Sequence, residues 1–225
     1  MQKIEREILV KKAKELLANG TVARVLGWRE GEFSYDVTPA VFKAEAELDS
    51  FSWNDFCGAN LSKYLVREAA KDGKVLVFLK PCDTYSFNQL LTEHRFNREN
   101  VYVVGIPCEG MIDINKLKNA ADGVVSASAD GENTVISTLY DGDIKVKTSE
   151  ILAERCKNCK SKKHMAYDEL LGEDGEILES DRFDEVEKIE KMTPDERFSF
   201  WQGELSRCIR CNACRDVCPA CTCEK

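Results

Sequence analysis

Two short apolar runs restrict the architecture more than any other feature of the sequence. Val75-Leu76-Val77-Phe78-Leu79 follows Asp72-Gly73-Lys74, and Val101-Tyr102-Val103-Val104-Gly105-Ile106 comes after an intervening stretch. Runs that are apolar at every position are buried on both faces, the habit of parallel strands. The stretch between them, roughly 20 residues, is long enough for a crossover helix, so a βαβ unit is expected. Both runs end alike, in Lys80-Pro81-Cys82-Asp83 and in Ile106-Pro107-Cys108-Glu109-Gly110. Ligands of open α/β sheets sit at the carboxyl ends of the strands. A parallel pair would therefore bring Cys82 and Cys108 to one edge, and the matched Pro-Cys pair points to a ligand held there.

Around this unit the sequence predicts an α/β domain over residues 1–190. It would be a small, mostly parallel sheet with flanking helices and a β-hairpin, followed by a C-terminal ferredoxin-like iron–sulfur segment over 191–225. Residues 3–18 place Ile4, Ile8, Leu9, Ala13, Leu16 and Leu17 on one helical face, with Gly20 as the stop. A strand is expected at 21–27, then a turn-like polar stretch at 28–32, and a second strand or edge segment at 37–42. The aromatic-rich stretch 48–57 reads as irregular. Asn60 can cap a helix running to Asp72 with Leu61, Leu65 and Ala69 inward, and Asp83 can cap the crossover helix at 84–94. Asp141-Gly142-Asp143 between 134–140 and 144–148 is a hairpin signal. The mixed-charge run from Asp168 to Arg197 reads as a solvated helix and loop, broken by Gly172 and Gly175.

The 225 residues, 43% of them hydrophobic, can bury a core, and the net charge of −8 argues against a nucleic-acid or anionic-membrane surface. No apolar run is long enough for a transmembrane segment, and the first residues resemble an amphipathic helix rather than a signal peptide. The expected location is the cytoplasm. Eleven cysteines stand against two histidines. In a reducing compartment clustered cysteines bind metal more often than they pair, and thiolate-only donor sets favour iron–sulfur clusters or four-cysteine zinc.

Cys208-x2-Cys211-x2-Cys214-x3-Cys218-Pro219 has the spacing of the bacterial ferredoxin loop, which holds a 4Fe–4S cluster. Zinc is the alternative, although zinc sites usually pair two distant Cys-x2-Cys knuckles. Cys221 and Cys223 follow directly, giving more ligands than one cluster needs. A fold that closes over such a cluster also needs chain beyond the loop, so the natural sequence is expected to continue past Lys225 with a further cysteine. Cys82, Cys108, Cys156 and Cys159 form a second set of four, read as a second 4Fe–4S site, with scattered buried cysteines or structural zinc as alternatives. Lys80 beside it could stabilise negative charge on a cofactor or make a surface salt bridge. Lys157, Lys160, Lys162, Lys163 and His164 could offset cluster charge or form a wet loop. Cys57 reads as core, and His94 and His164 read as surface or capping residues.

These residues resemble the coenzyme F-420 hydrogenase/dehydrogenase β-subunit family. The resemblance rests on Gly27-Trp28, Asn60-Leu61, Lys80-Pro81-Cys82-Asp83, Ile106-Pro107-Cys108-Glu109-Gly110 and the 156–159 knuckle, and spans about residues 20–165. It is nearest to members that accompany heterodisulfide-reductase-like and hydrogenase-like assemblies in anaerobes. The resemblance implies an α/β domain, iron–sulfur clusters, often FAD, and electron exchange with ferredoxin, coenzyme F-420 or other redox subunits. Two roles follow from it. One is an electron-transfer subunit, and the other is a flavin-containing subunit that oxidises or reduces a hydride carrier. A zinc-stapled interaction module is a third reading.

Overall fold

The computed structural model describes residues 4–177, 179 and 182–221; Cys223 and the expected helix start at Lys3 lie outside them. The chain opens with helix α1 (Arg6–Ala18), followed by strands β1 (Arg24–Glu30), β2 (Val37–Phe42) and β3 (Phe51–Ser52). Helix α2 (Ser62–Glu68) leads to β4 (Val75–Leu79), helix α3 (Pro81–Thr92) and β5 (Val101–Gly105). Next come α4 (Ile114–Ala120), β6 (Val124–Asp130), β7 (Asn133–Thr138), β8 (Asp143–Lys147) and the short helices α5 (Thr148–Ile151) and α6 (Glu154–Lys157). Strand β9 (Glu169–Leu170) and helices α7 (Asp184–Glu190), α8 (Pro194–Ser206) and α9 (Ala213–Val217) complete the order.

The main sheet runs β2-β1-β4-β5-β9, with β3 also paired to β1. β4 lies between β1 and β5 and is parallel to both, in register Leu26↔Val77 and Val77↔Val103. β9 adds to β5 in parallel, whereas β2 and β3 are antiparallel to β1, so the sheet is mixed and mostly parallel. All five residues of β4 are buried. Each such side chain contributes about 1.5–3 kcal/mol, enough to offset the roughly 1–2 kcal/mol of backbone entropy lost per residue. One continuous core gathers Leu9, Ala13 and Leu16 of α1, Leu65 of α2, Phe87 and Leu90 of α3, and the inner residues of β1, β4 and β5.

The structure moves several expected boundaries. β1 continues through Trp28-Arg29-Glu30, the stretch read as a turn. Trp28 is fully buried, with its ring 5.2 Å from that of Trp53, and this non-local packing holds the strand extended past its polar-looking end. Ile8 of α1 is exposed rather than inward. The crossover helix starts at Pro81, so Asp83 is not its N-cap. Asp83 sits one turn in and its carboxylate accepts from the Lys80 backbone N–H at 3.3 Å. Glu169–Leu170, within the run read as solvated, joins the sheet. The expected hairpin is present as β7 and β8, turning at Gly142 with φ +71°, and β6 pairs with β7 to make a separate three-stranded sheet over its own small core.

Candidate metal centre

β4 ends at Leu79, and the chain leaves the sheet through Lys80 and Pro81. Proline is well placed at the first helical position, because its ring fixes φ and its missing N–H would go unpaired there anyway. Cys82 therefore stands in the first turn of α3. β5 ends at Gly105, and the Ile106 N–H still donates to the Leu79 carbonyl at 2.9 Å, keeping the two exits side by side. The chain then runs through Pro107 and Cys108 to Gly110, whose φ of +126° only glycine adopts readily. A Cβ there would also meet Leu152 at 2.9 Å.

Leu152 belongs to the chain that brings in the knuckle. Ile112 bridges Leu152, and the Ala153 N–H donates to the Met111 carbonyl at 2.9 Å. α6 then carries Cys156, with Cys159 in the turn beyond. Arg155 donates to the Gly58 carbonyl at 2.9 Å and Lys162 to the Cys108 carbonyl at 3.2 Å, fastening the knuckle on two sides.

Cys82, Cys108, Cys156 and Cys159 consequently line one cavity of about 850 Å³ at the carboxyl edge of the sheet, with Lys80, Asp83, Asn60 and Tyr64 in its walls. Cys82 keeps part of its surface in solvent although its thiol is largely desolvated, and the other three are half-buried. Burial pushes the Cys108 thiol up to about 11 and the Cys82 thiol higher, in the second case reinforced by the Asp83 carboxylate. Without metal the Cys82 and Cys108 thiols are neutral, and ligation would release their protons. Among the described residues, no three thiol, imidazole or carboxylate groups are drawn together as the ligands of a single ion would be. Four soft sulfur donors with no imidazole among them, next to a buried cation, are a donor set that fits an iron–sulfur cluster.

Lys80 is 2% exposed, so it is not a surface residue. Its ammonium pairs with Asp83 at 2.9 Å, donates to the Cys57 and Ala59 carbonyls at 3.1 and 3.0 Å, and lies 4.6 Å from the Trp28 ring centroid. Burial works against its charge, yet the Asp83 carboxylate carries its pKa above the ordinary lysine value. Cys57 is fully buried, as expected of a core residue, and desolvation pushes its thiol up to about 12. His94 adopts φ +54° just past the end of α3, a capping position. His164 is not at the surface. Its side chain is wholly buried and engaged with Asp174, and nothing in its local sequence foretold that.

The terminal loop is built differently. Cys208, Cys211, Cys214 and Cys221 are exposed and Cys218 is half-buried. Arg210 and Asn212 both have left-handed φ, +58° and +61°, which curls the backbone between Cys208 and Cys214. Cys218 hydrogen-bonds with Cys221, which lowers the pKa of the first thiol and raises that of the second. The described part of this segment contains helix α9 but no strand. Val217 and Pro219 line the strand-end cavity, and Lys63 donates to the Cys221 carbonyl at 2.7 Å.

No family model matches the chain. Its sequence is 26% identical to the F420-dependent formate dehydrogenase subunit beta of Methanocaldococcus jannaschii over an alignment of 270 residues, covering 93% of this chain and 71% of the relative. It is 24% identical to F420-dependent formate dehydrogenase 1 subunit beta of Methanococcus maripaludis, over 94% of this chain and 71% of the relative. Its fold matches a chain of the F420-reducing [NiFe] hydrogenase complex of Methanosarcina barkeri with a TM-score of 0.52 at 16% identity. That match covers 69% of this chain and 62% of the other, so this chain spans less than two thirds of the hydrogenase chain. Two relatives matched along nearly its whole length, together with the strand-end motifs gathered at one edge of a mostly parallel sheet, make the chain similar to F420-dependent formate dehydrogenase beta subunits.

Proposed function

We propose that this chain is an iron–sulfur electron-transfer subunit of an anaerobic oxidoreductase complex. In this reading Cys82, Cys108, Cys156 and Cys159 hold one 4Fe–4S cluster. Cys208, Cys211 and Cys214, with Cys218 or a neighbouring cysteine, hold a second. The observation that carries the reading is the cavity itself, which cysteines from two strand ends and a distant knuckle line together. Clusters bound at these positions supply one-electron transfer. The chain's own residues fix where that happens. Pro81 and Pro107 set the exits from the sheet, Lys80 places positive charge beside the thiolates, and Arg155 and Lys162 hold the knuckle against the strand ends. The electrons would pass between a reduced carrier or partner subunit and a heterodisulfide-reductase-like or hydrogenase-like partner. The relatives are themselves named as subunits of F420-dependent enzymes, which supports a place in a larger assembly.

One observation favours a second reading. A volume of about 850 Å³ lies within the range of small-molecule sites and exceeds what four thiolates and a cluster need. A flavin in the remaining space would make the chain a catalytic subunit that exchanges hydride with coenzyme F-420 or a similar carrier. Anaerobic purification with iron and sulfide assay and a visible spectrum tests both readings. Broad cluster absorption with about eight iron per chain supports the electron-transfer subunit. Added structured flavin bands would move the assignment to the catalytic one, and a colourless, iron-free protein would exclude both.

A further inference from the structure

His164 faces an acceptor at each ring nitrogen. Nδ1 lies 2.5 Å from the Asp174 carboxylate and Nε2 lies 3.0 Å from the Leu79 carbonyl oxygen. Asp174 also accepts from the His164 backbone N–H, at 3.2 and 3.3 Å. Leu79 is the last residue of β4 and stands just before the Lys80-Pro81-Cys82 exit, while His164 follows soon after Cys159. The ring therefore ties the chain leaving the knuckle to the strand that carries Cys82. It does not line the cavity, so it does not reach a molecule bound there.

The Leu79 carbonyl already accepts from the Ile106 N–H, so the imidazole is not there to satisfy an orphaned oxygen. What it adds is a cross-link. Two neighbours act in the same sense: the Met165 N–H donates to Thr84 Oγ1 at 3.0 Å, in the first turn of α3, and Lys162 bonds the Cys108 carbonyl. Gly105 makes room for the ring, since a Cβ there would come within 3.0 Å of it. Resting on the cluster reading above, we propose that His164, held by Asp174, is a positioning residue. It fixes the Cys156–Cys159 half of the site against the Cys82–Cys108 half and so sets the spacing of the four thiols.

Two variants of the full chain test this. His164→Gln keeps one polar nitrogen and loses the ring that reaches Asp174 and Leu79 at once, whereas Asp174→Asn keeps an acceptor for Nδ1 and removes the charge. In the iron-free protein, amides over 160–170 should exchange at least about tenfold faster in His164→Gln, with a smaller increase in Asp174→Asn. In the iron-loaded protein, His164→Gln should shift the line shape and midpoint potential of the strand-end signal and leave the terminal-loop signal in place. Asp174→Asn should fall between that variant and wild type. Unchanged exchange in His164→Gln overturns the proposal. So does faster exchange with an unmoved strand-end signal, which would leave the ring a support of the fold alone. If the loaded wild-type protein shows no strand-end signal, the cluster reading falls, and exchange alone then decides whether His164 is the clamp.

Discussion

Lys80 commits its ammonium to the Cys57 and Ala59 carbonyls and to Asp83, with the Trp28 ring against it. It thereby staples the 57–59 loop to the exit of β4 and keeps a positive charge in the cavity wall. Removing one partner of a buried pair leaves an uncompensated charge, which costs about 3–5 kcal/mol. Lys80→Met should therefore lose about that much in denaturant unfolding, and Lys80→Met/Asp83→Asn should lose clearly less. Additive losses would show that the two do not act as a pair. The Lys-Pro-Cys-Asp motif is visible in the sequence, and so is the idea of charge beside the cysteines. The burial is not, because Trp28 and the Cys57 carbonyl arrive from far along the chain. His164 was opaque for the same reason: the Leu79 oxygen that it meets lies 85 residues away.

At the scale of elements, β4 and β5 were legible because every position in them is apolar, and such runs have only one comfortable environment. The hairpin was legible through its turn residues. β9 was not, since Glu169–Leu170 carries no strand pattern. It is held instead by the Asp168 N–H on the Val103 carbonyl at 2.8 Å, by Asp168 Oδ2 accepting from the Val103 N–H at 2.7 Å, and by the Leu171 N–H on the Gly105 carbonyl at 3.0 Å. The close approach needs Gly105, where a Cβ would meet Leu170 at 2.9 Å and His164 at 3.0 Å. Gly105→Ala should cost about 1–3 kcal/mol through overpacking. Its signature should be faster amide exchange over 164–171 with β4 still protected. A variant as stable as wild type and equally protected there would mean that the backbone shifts freely and that the close approach of β9 does not need Gly105.

For the whole molecule, the sheet edge brings together what the sequence keeps apart. Cys82 and Cys108 come from neighbouring strand ends, Cys156 and Cys159 from a knuckle beyond the small sheet, and the terminal loop reaches the same cavity through Val217 and Pro219. Among the described residues no helix is long and apolar enough to cross a membrane. Helix α8 leaves Phe198, Trp201 and Leu205 exposed. The central claim is that the four strand-end cysteines serve one cluster. Electron paramagnetic resonance of the reduced, iron-loaded protein tests it most directly, with Cys82→Ser, Cys108→Ser and Cys159→Ser measured beside Cys211→Ala. The three serine variants should each lose the same signal and keep the terminal-loop signal. Cys211→Ala should do the reverse, with up to about four iron lost per chain in every case. Serine variants that keep all their iron, or that lose different signals from one another, would contradict a shared cluster.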